Sequence, residues 1–207
     1  MRDALGFLSL LSSVHGTPPW WSEDPYRVMV EAVLVQNTAW ENVLRTREGI
    51  GDRLSPQWVE SLDDVQLEEA IRSCGFQKAK ARTIRALTAW WRSFAFDRDA
   101  VMAIGAQDLT SQLQSIKGVG METASVIALY AFHKPVMVVD AYTRRILSRF
   151  GYSFDDDDSI RSFFCSSLGF MELGALHWLI LETGKAWCRG RPLCDSCPLC
   201  GGCMRRL

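Results

Sequence analysis

The chain has 207 residues, 48% hydrophobic and 23% charged, with a formal net charge of −1 at pH 7. That length suits one domain or two small ones, and the composition is that of a soluble globular protein. A near-neutral total argues against a simple polyanion binder. The start, Met1-Arg2-Asp3-Ala4-Leu5, has no long apolar run, and no stretch reaches the roughly 20 residues of a bilayer span, so an intracellular, cytoplasmic protein with no membrane partner is expected.

The dominant period is helical. Asp24-Pro25 is a helix start, with Asp as N-cap and Pro in the first turn, and YRVMVEAVLVQ after it is apolar nearly all round, as a buried helix would be. Ser55-Pro56 repeats the start signal, and Gly75 is the expected C-cap of the helix through Leu67 and Ile71. Residues 77–94 place Ile84, Leu87 and Trp91 on one face and Lys78, Arg82 and Arg85 on another. With Lys80, Arg92 and Arg98 these form one basic region; Arg189, Arg191, Arg205 and Arg206 form a second, and local charge is what meets phosphate.

Leu109, Leu113 and Ile116 make one apolar face before the turn Lys117-Gly118-Val119-Gly120, and a helix follows from about 121 to 132, packing through Ala124, Ile127, Ala128 and Ala131. Two short helices joined by G-V-G read as a helix-hairpin-helix, over about 108–132. Its glycines permit positive φ and let a DNA phosphate approach the amides of the next helix start. The alternative is an ordinary αα-hairpin. Pro135 ends that helix. VMVV at 136–139 is too short and solitary to build a sheet, and Asp140 sits where the next helix begins, either as a plain N-cap or as a carboxylate near a held sugar-phosphate backbone. The aspartate run 155–158 is a solvated loop or helix start.

Five of the seven cysteines lie between 188 and 203. Cys188, Cys194, Cys197 and Cys203 offer four thiolates, with Cys200 as an extra. Such density in an intracellular chain points to metal. One close pair flanked by longer arms suits a [4Fe–4S] cluster better than zinc, which remains the alternative. Cys74 and Cys165 read as small buried residues.

The hairpin, the aspartate and the cysteine array in this order, with HWLILETGKAWC leading into the array, resemble the endonuclease III superfamily of DNA glycosylases, from about Asp24 to Cys203. The resemblance implies an all-α protein of two helical domains with a DNA cleft between them. One is a six-helix barrel over 22–134; the other joins 1–21 to 135–207 and carries the iron–sulfur cluster. It implies extrusion and excision of damaged bases from double-stranded DNA by a nucleoid-associated monomer that also meets abasic sites. Asp140 would be catalytic, Gln36 would fill the vacated stack, and Arg189 and Arg191 would lie in a cluster-held loop against phosphate.

Bifunctional members carry a lysine where this chain has Glu122, and glutamate cannot form the imine that strand cleavage needs. The stretches WW…AVLVQNTAWENVL, GFQKAKARTI and KGVGMETA look like the 3-methyladenine DNA glycosylase III branch, which shares that glutamate but lacks the cysteine array. There, Trp20 or Trp21 facing Trp40 would sandwich a cationic base, the alternative being core packing. The expected activity is monofunctional release of alkylated purines such as 3-methyladenine. The rivals are a glycosylase/AP lyase on oxidised pyrimidines using another lysine such as Lys117, and a non-catalytic DNA-binding protein.

Overall fold

A computed structural model describes residues 3–204, so Arg205 and Arg206 of the second basic region lie outside the described residues. Twelve α-helices are joined by short turns, with no strand among the described residues. No helix among them is long and apolar enough to cross a membrane. The chain divides into two compact units, Trp21–Phe132 and a second that joins the chain up to Trp20 with the chain from His133 onward.

The first unit is built on α2 (Pro25–Leu34), which starts as the sequence predicts: Asp24 Oδ1 accepts from Tyr26 N at 2.9 Å. Around it run α3 (Trp40–Ile50), α4 (Pro56–Ser61), α5 (Asp64–Ala70), α6 (Gln77–Arg92), α7 (Arg98–Met102), α8 (Ala106–Gln114) and α9 (Met121–Val126). The core side of α6 carries Ile84, Leu87 and Trp91, all buried, and Trp91 stacks on Tyr26 with centroids 5.7 Å apart. Burying each such side chain stabilises the fold by about 1.5–3 kcal/mol.

Two expectations change here. Gly75, in the left-handed region at φ 67°, closes a short 3-10 turn (Arg72–Cys74) rather than the α5 helix, which ends at Ala70. The basic region over 77–98 is divided: Lys78, Arg82 and Arg92 are exposed, whereas Arg85 and Arg98 are half-buried and Lys80 turns inward. Lys80 is only 4% exposed and donates to the carbonyls of Leu34 and Cys74 at 2.8 Å each. It thereby satisfies the carbonyl that ends α2, which has no partner within its own helix. Arg85 is bound to Asp64 and to the carbonyls of Val59 and Leu62, Arg92 pairs with Glu60, and Arg98 donates to Ala131 O. A helical wheel separates apolar from charged but cannot tell a charge facing solvent from one that caps a neighbouring helix.

In the second unit α1 (Ala4–His15) and α10 (Ala141–Arg149) both pack on α12 (Phe170–Ala186), with α11 (Asp157–Cys165) beside them in the chain. Phe7, fully buried, meets Phe150 and Tyr152 edge-on at 5.3 Å each. Gly184 lets Tyr142 of α10 lie against the α12 backbone, where a Cβ would collide with its ring. The aspartate run is a helix start as expected: Asp156 caps α11 and Asp157 pairs with Arg144, whose hydrogen bond holds the Asp157 carboxyl below the usual range. Residues 136–139 are buried and belong to no helix or strand. Cys74 is buried as expected, whereas Cys165 is half-buried and accepts from Met137 N.

Candidate active site and cysteine-lined cavity

The glycine turn joins α8 to α9, and only its first glycine needs to be glycine. Gly118 has φ 95°, and a Cβ there would run into the Thr83 side chain; Gly120 is extended, with open space where a Cβ would stand. The turn is pinned from within its own unit. Thr83 Oγ1 donates to Lys117 O at 3.1 Å, Val119 N donates to Ile116 O at 3.0 Å, and Val119 is buried. Gln36 Nε2 donates to Gly118 O at 3.0 Å and to Thr123 Oγ1 at 2.8 Å, so its side chain braces the hairpin. Lys117 and Glu122 are exposed, Glu122 in the first turn of α9, where an acid suits the helix dipole. The helix predicted to run to 132 is α only to Val126. It then opens into a π-helical turn, Ile127–Ala131, and stops at His133, φ 53°, ahead of Pro135.

Asp140 caps α10: its Oδ1 accepts from Thr143 N at 2.7 Å, and the residue is 8% exposed. The Thr143 hydroxyl donates to Val138 O at 3.3 Å, which ties the cap to the buried 136–139 segment. The other carboxylate oxygen faces His177 of α12, with Nε2 3.9 Å from Oδ2. His177 is 5% exposed, and burial lowers its pKa despite the opposing pull of Asp140. Sequence reading missed His177; its signal was a histidine within the apolar run LHWLIL.

Of the three tryptophans, Trp21 and Trp40 meet, with centroids 5.4 Å apart at 81°. That is edge-to-face contact between the two rings themselves. Trp21 also meets Tyr130 of the π-helical turn at 5.3 Å. Trp20 packs edge-on to Phe170 and His133, which stack on each other at 4.7 Å. Behind Trp21 and Trp40 stands Glu31, which also went unread in the sequence although a lone charge in VMVEAVL signals a buried partner.

Cys188, Cys194, Cys197, Cys200 and Cys203 all line one open cavity of about 30 Å³. Burial pushes the Cys197 thiol up, and nearby Cys188, Cys200 and Cys203 push it the same way. Arg149 knits the region together. Its guanidinium donates to Cys188 Sγ at 3.3 Å, to Arg189 O at 2.6 Å and to Gly190 O at 3.1 Å, while its own carbonyl accepts from Cys203 Sγ at 3.2 Å. The Arg189 and Arg191 side chains are exposed, Arg189 Nε reaching Lys185 O. Among the described residues no three His, Cys, Asp or Glu side chains close around a single metal ion. Five thiols around one opening, beside a cationic guanidinium, are a donor set that fits a thiolate-ligated cluster.

Residues 30–164 match the HhH-GPD superfamily base excision DNA repair proteins, and the chain belongs to that family, the endonuclease III superfamily of DNA glycosylases. Among its relatives, a putative DNA repair glycosylase of Methanocaldococcus jannaschii is 36% identical over 207 residues, covering 95% of this chain and 94% of the relative. Endonuclease III of Sulfolobus acidocaldarius is 28% identical over 179 residues, 83% of this chain and 78% of that one. The fold matches H. pylori 3-methyladenine DNA glycosylase bound to 1,N6-ethenoadenine, with TM-score 0.75 and 25% identity over 89% of this chain and 98% of that one. A non-covalent endonuclease III–DNA complex matches at TM-score 0.76 and 22% identity, over 99% and 97% of the two chains.

Proposed function

We propose that this protein is a monofunctional DNA glycosylase that binds duplex DNA containing damaged bases and hydrolyses their N-glycosidic bonds, with alkylated purines such as 3-methyladenine as preferred substrates. The observation that carries this reading is the setting of Asp140. One oxygen is fixed by Thr143 N and the other faces buried His177 at 3.9 Å, on a helix start that directly follows the hairpin unit in the chain. The Helicobacter enzyme named above supports the substrate class, and Glu122 in place of an imine-forming lysine supports hydrolysis over lyase chemistry.

In the proposed reaction the damaged nucleotide leaves the stack, because its glycosidic carbon is unreachable within the duplex. Gln36 leaves its hairpin bonds to fill the gap, while Lys117, Gly118, Val119 and Gly120 of the turn, with Arg189 and Arg191, hold backbone phosphates. As the C1′–N bond breaks, its electron pair departs with the base, and the Asp140 carboxylate stabilises the positive charge growing on the sugar. A water oxygen then bonds to C1′ and its proton passes to Asp140. A purine that is already cationic needs little help to leave.

Cys188, Cys194, Cys197 and Cys203 would hold a [4Fe–4S] cluster, with Cys200 as a fifth thiol at the same opening. Its contribution would be to cross-link the segment carrying Arg189 and Arg191. Iron content and broad absorbance near ~400 nm, against the colourless spectrum of zinc, decide between the two metals.

The test is release of free bases from methylated duplex DNA, identified by mass spectrometry. Asp140→Asn should lower release at least ~100-fold, the low end expected for a positioned general base, while leaving DNA affinity within about twofold. Borohydride should trap no covalent complex on abasic DNA. Trapping that disappears in Lys117→Ala would instead establish the lyase. Equal activity in Asp140→Asn would remove the catalytic role.

A further inference from the structure

Glu31 is 2% exposed in the middle of α2, a helix whose neighbouring positions are apolar. Both of its oxygens have partners. Trp21 Nε1 donates to Oε2 at 2.8 Å, Arg47 Nε to Oε1 at 2.8 Å and Arg47 Nη2 to Oε2 at 2.6 Å, with Arg27 Nη1 3.9 Å from Oε1. Arg47 in turn lies over the Trp40 ring, its Cζ 5.7 Å from the centroid. One buried carboxylate therefore orients both half-buried tryptophans, Trp21 directly and Trp40 through Arg47. Stability gives no reason for this arrangement, since a buried ion pair is commonly no better than apolar side chains of the same volume.

The charges give a reason. Arg47 covers one face of Trp40, so a flipped base can stack only on the remaining aromatic surface and does so within reach of a guanidinium. A cationic purine there meets like charge, which Glu31 offsets; a neutral base is indifferent to both. We propose that Glu31 is a specificity-determining positioning residue that holds Trp21 and Arg47 in place and supplies the negative charge that lets a cationic base be accepted beside Trp40. This rests on the base-excision reading above. Taking Glu31, Arg47 and Arg27 together, the local charge is one positive. Removing the carboxylate makes it two positive; removing Arg47 makes it zero.

The two variants must therefore act in opposite directions on a cationic substrate. In Glu31→Gln, which keeps an acceptor for the Trp21 indole, kcat/KM for 3-methyladenine release from methylated duplex DNA should fall about tenfold. Release of neutral 1,N6-ethenoadenine from a matched duplex should change by less than threefold. In Arg47→Met, 3-methyladenine release should hold or rise. Both variants slowing 3-methyladenine release, or Glu31→Gln slowing both bases equally, would reduce Glu31 to a structural role and overturn the proposal. If Glu31→Gln does not fold, Arg47→Met alone still decides, because a purely structural brace predicts loss. Wild-type protein that releases neither base would overturn the functional reading and the proposal with it. Release of both bases with an unmoved ratio would overturn the proposal alone.

Discussion

The helical unit Trp21–Phe132 and the segment 188–203 are held together by different means. In the first, α2 alone buries eight of its ten residues, and its end is capped by Lys80. In the second, only Cys188 and Leu199 are buried and regular structure is limited to the 3-10 turns Cys194–Ser196 and Cys200–Gly202. Apolar burial near 25 cal/mol per Å² can fix a helix; it cannot fix sixteen residues that bury two side chains. Such a segment needs cross-links. It has five thiols, the Arg149 hydrogen bonds, Arg145 Nε donating to Cys188 O at 2.9 Å and a few backbone bonds such as Leu193 N to Trp187 O. Order in the first region should thus be graded and local, and order in the second should depend all-or-none on the proposed cluster.

The largest effect should come from breaking the second region. Cys194→Ala is expected to lose bound iron and to expose the segment after Trp187 to limited proteolysis, while the helices from α2 to α9 resist. A protease-resistant 188–203 without metal would show that Arg149 and local packing suffice. In the first region, Leu109→Ala, at a fully buried α8 position, should cost about 2–5 kcal/mol by chemical denaturation and leave iron content unchanged.

The third prediction concerns pH. The folded pKa of His177 lies below its unfolded value near 6.5, because burial disfavours the imidazolium more than Asp140 favours it. The unfolded chain then binds the extra proton. The His177 contribution is fully present above about pH 6.5 and is lost as pH falls through the folded pKa, by up to about 1.4 kcal/mol per unit. His177→Gln should flatten the stability profile in that window. An identical slope in the variant would assign it to other groups. The smallest effect belongs to a single cap: Ser55→Ala removes the acceptor of Trp58 N and should cost about 1 kcal/mol, without touching the cysteine segment.

Much was written in the sequence by itself. Helix starts at Asp24-Pro25 and Ser55-Pro56, the buried α2, the Gly118 turn, the N-cap position of Asp140 and the common site of the five cysteines follow from local rules. Capping, proline geometry, 3.6-residue periodicity and thiol spacing act within a few residues, so a linear string contains them. Other features were decided only when distant segments met. The reach of Lys80 to Leu34 O and of Arg85 to Asp64, the Gln36 brace on Gly118 and Thr123, the perpendicular setting of Trp21 and Trp40, and the pairing of Glu31 with Arg47 or His177 with Asp140 join residues 16 to 87 positions apart. Type and spacing specify which groups can bond or stack. Which partner each one finds is set by desolvation, since a buried charge must take whatever donor or acceptor the packed helices bring within reach.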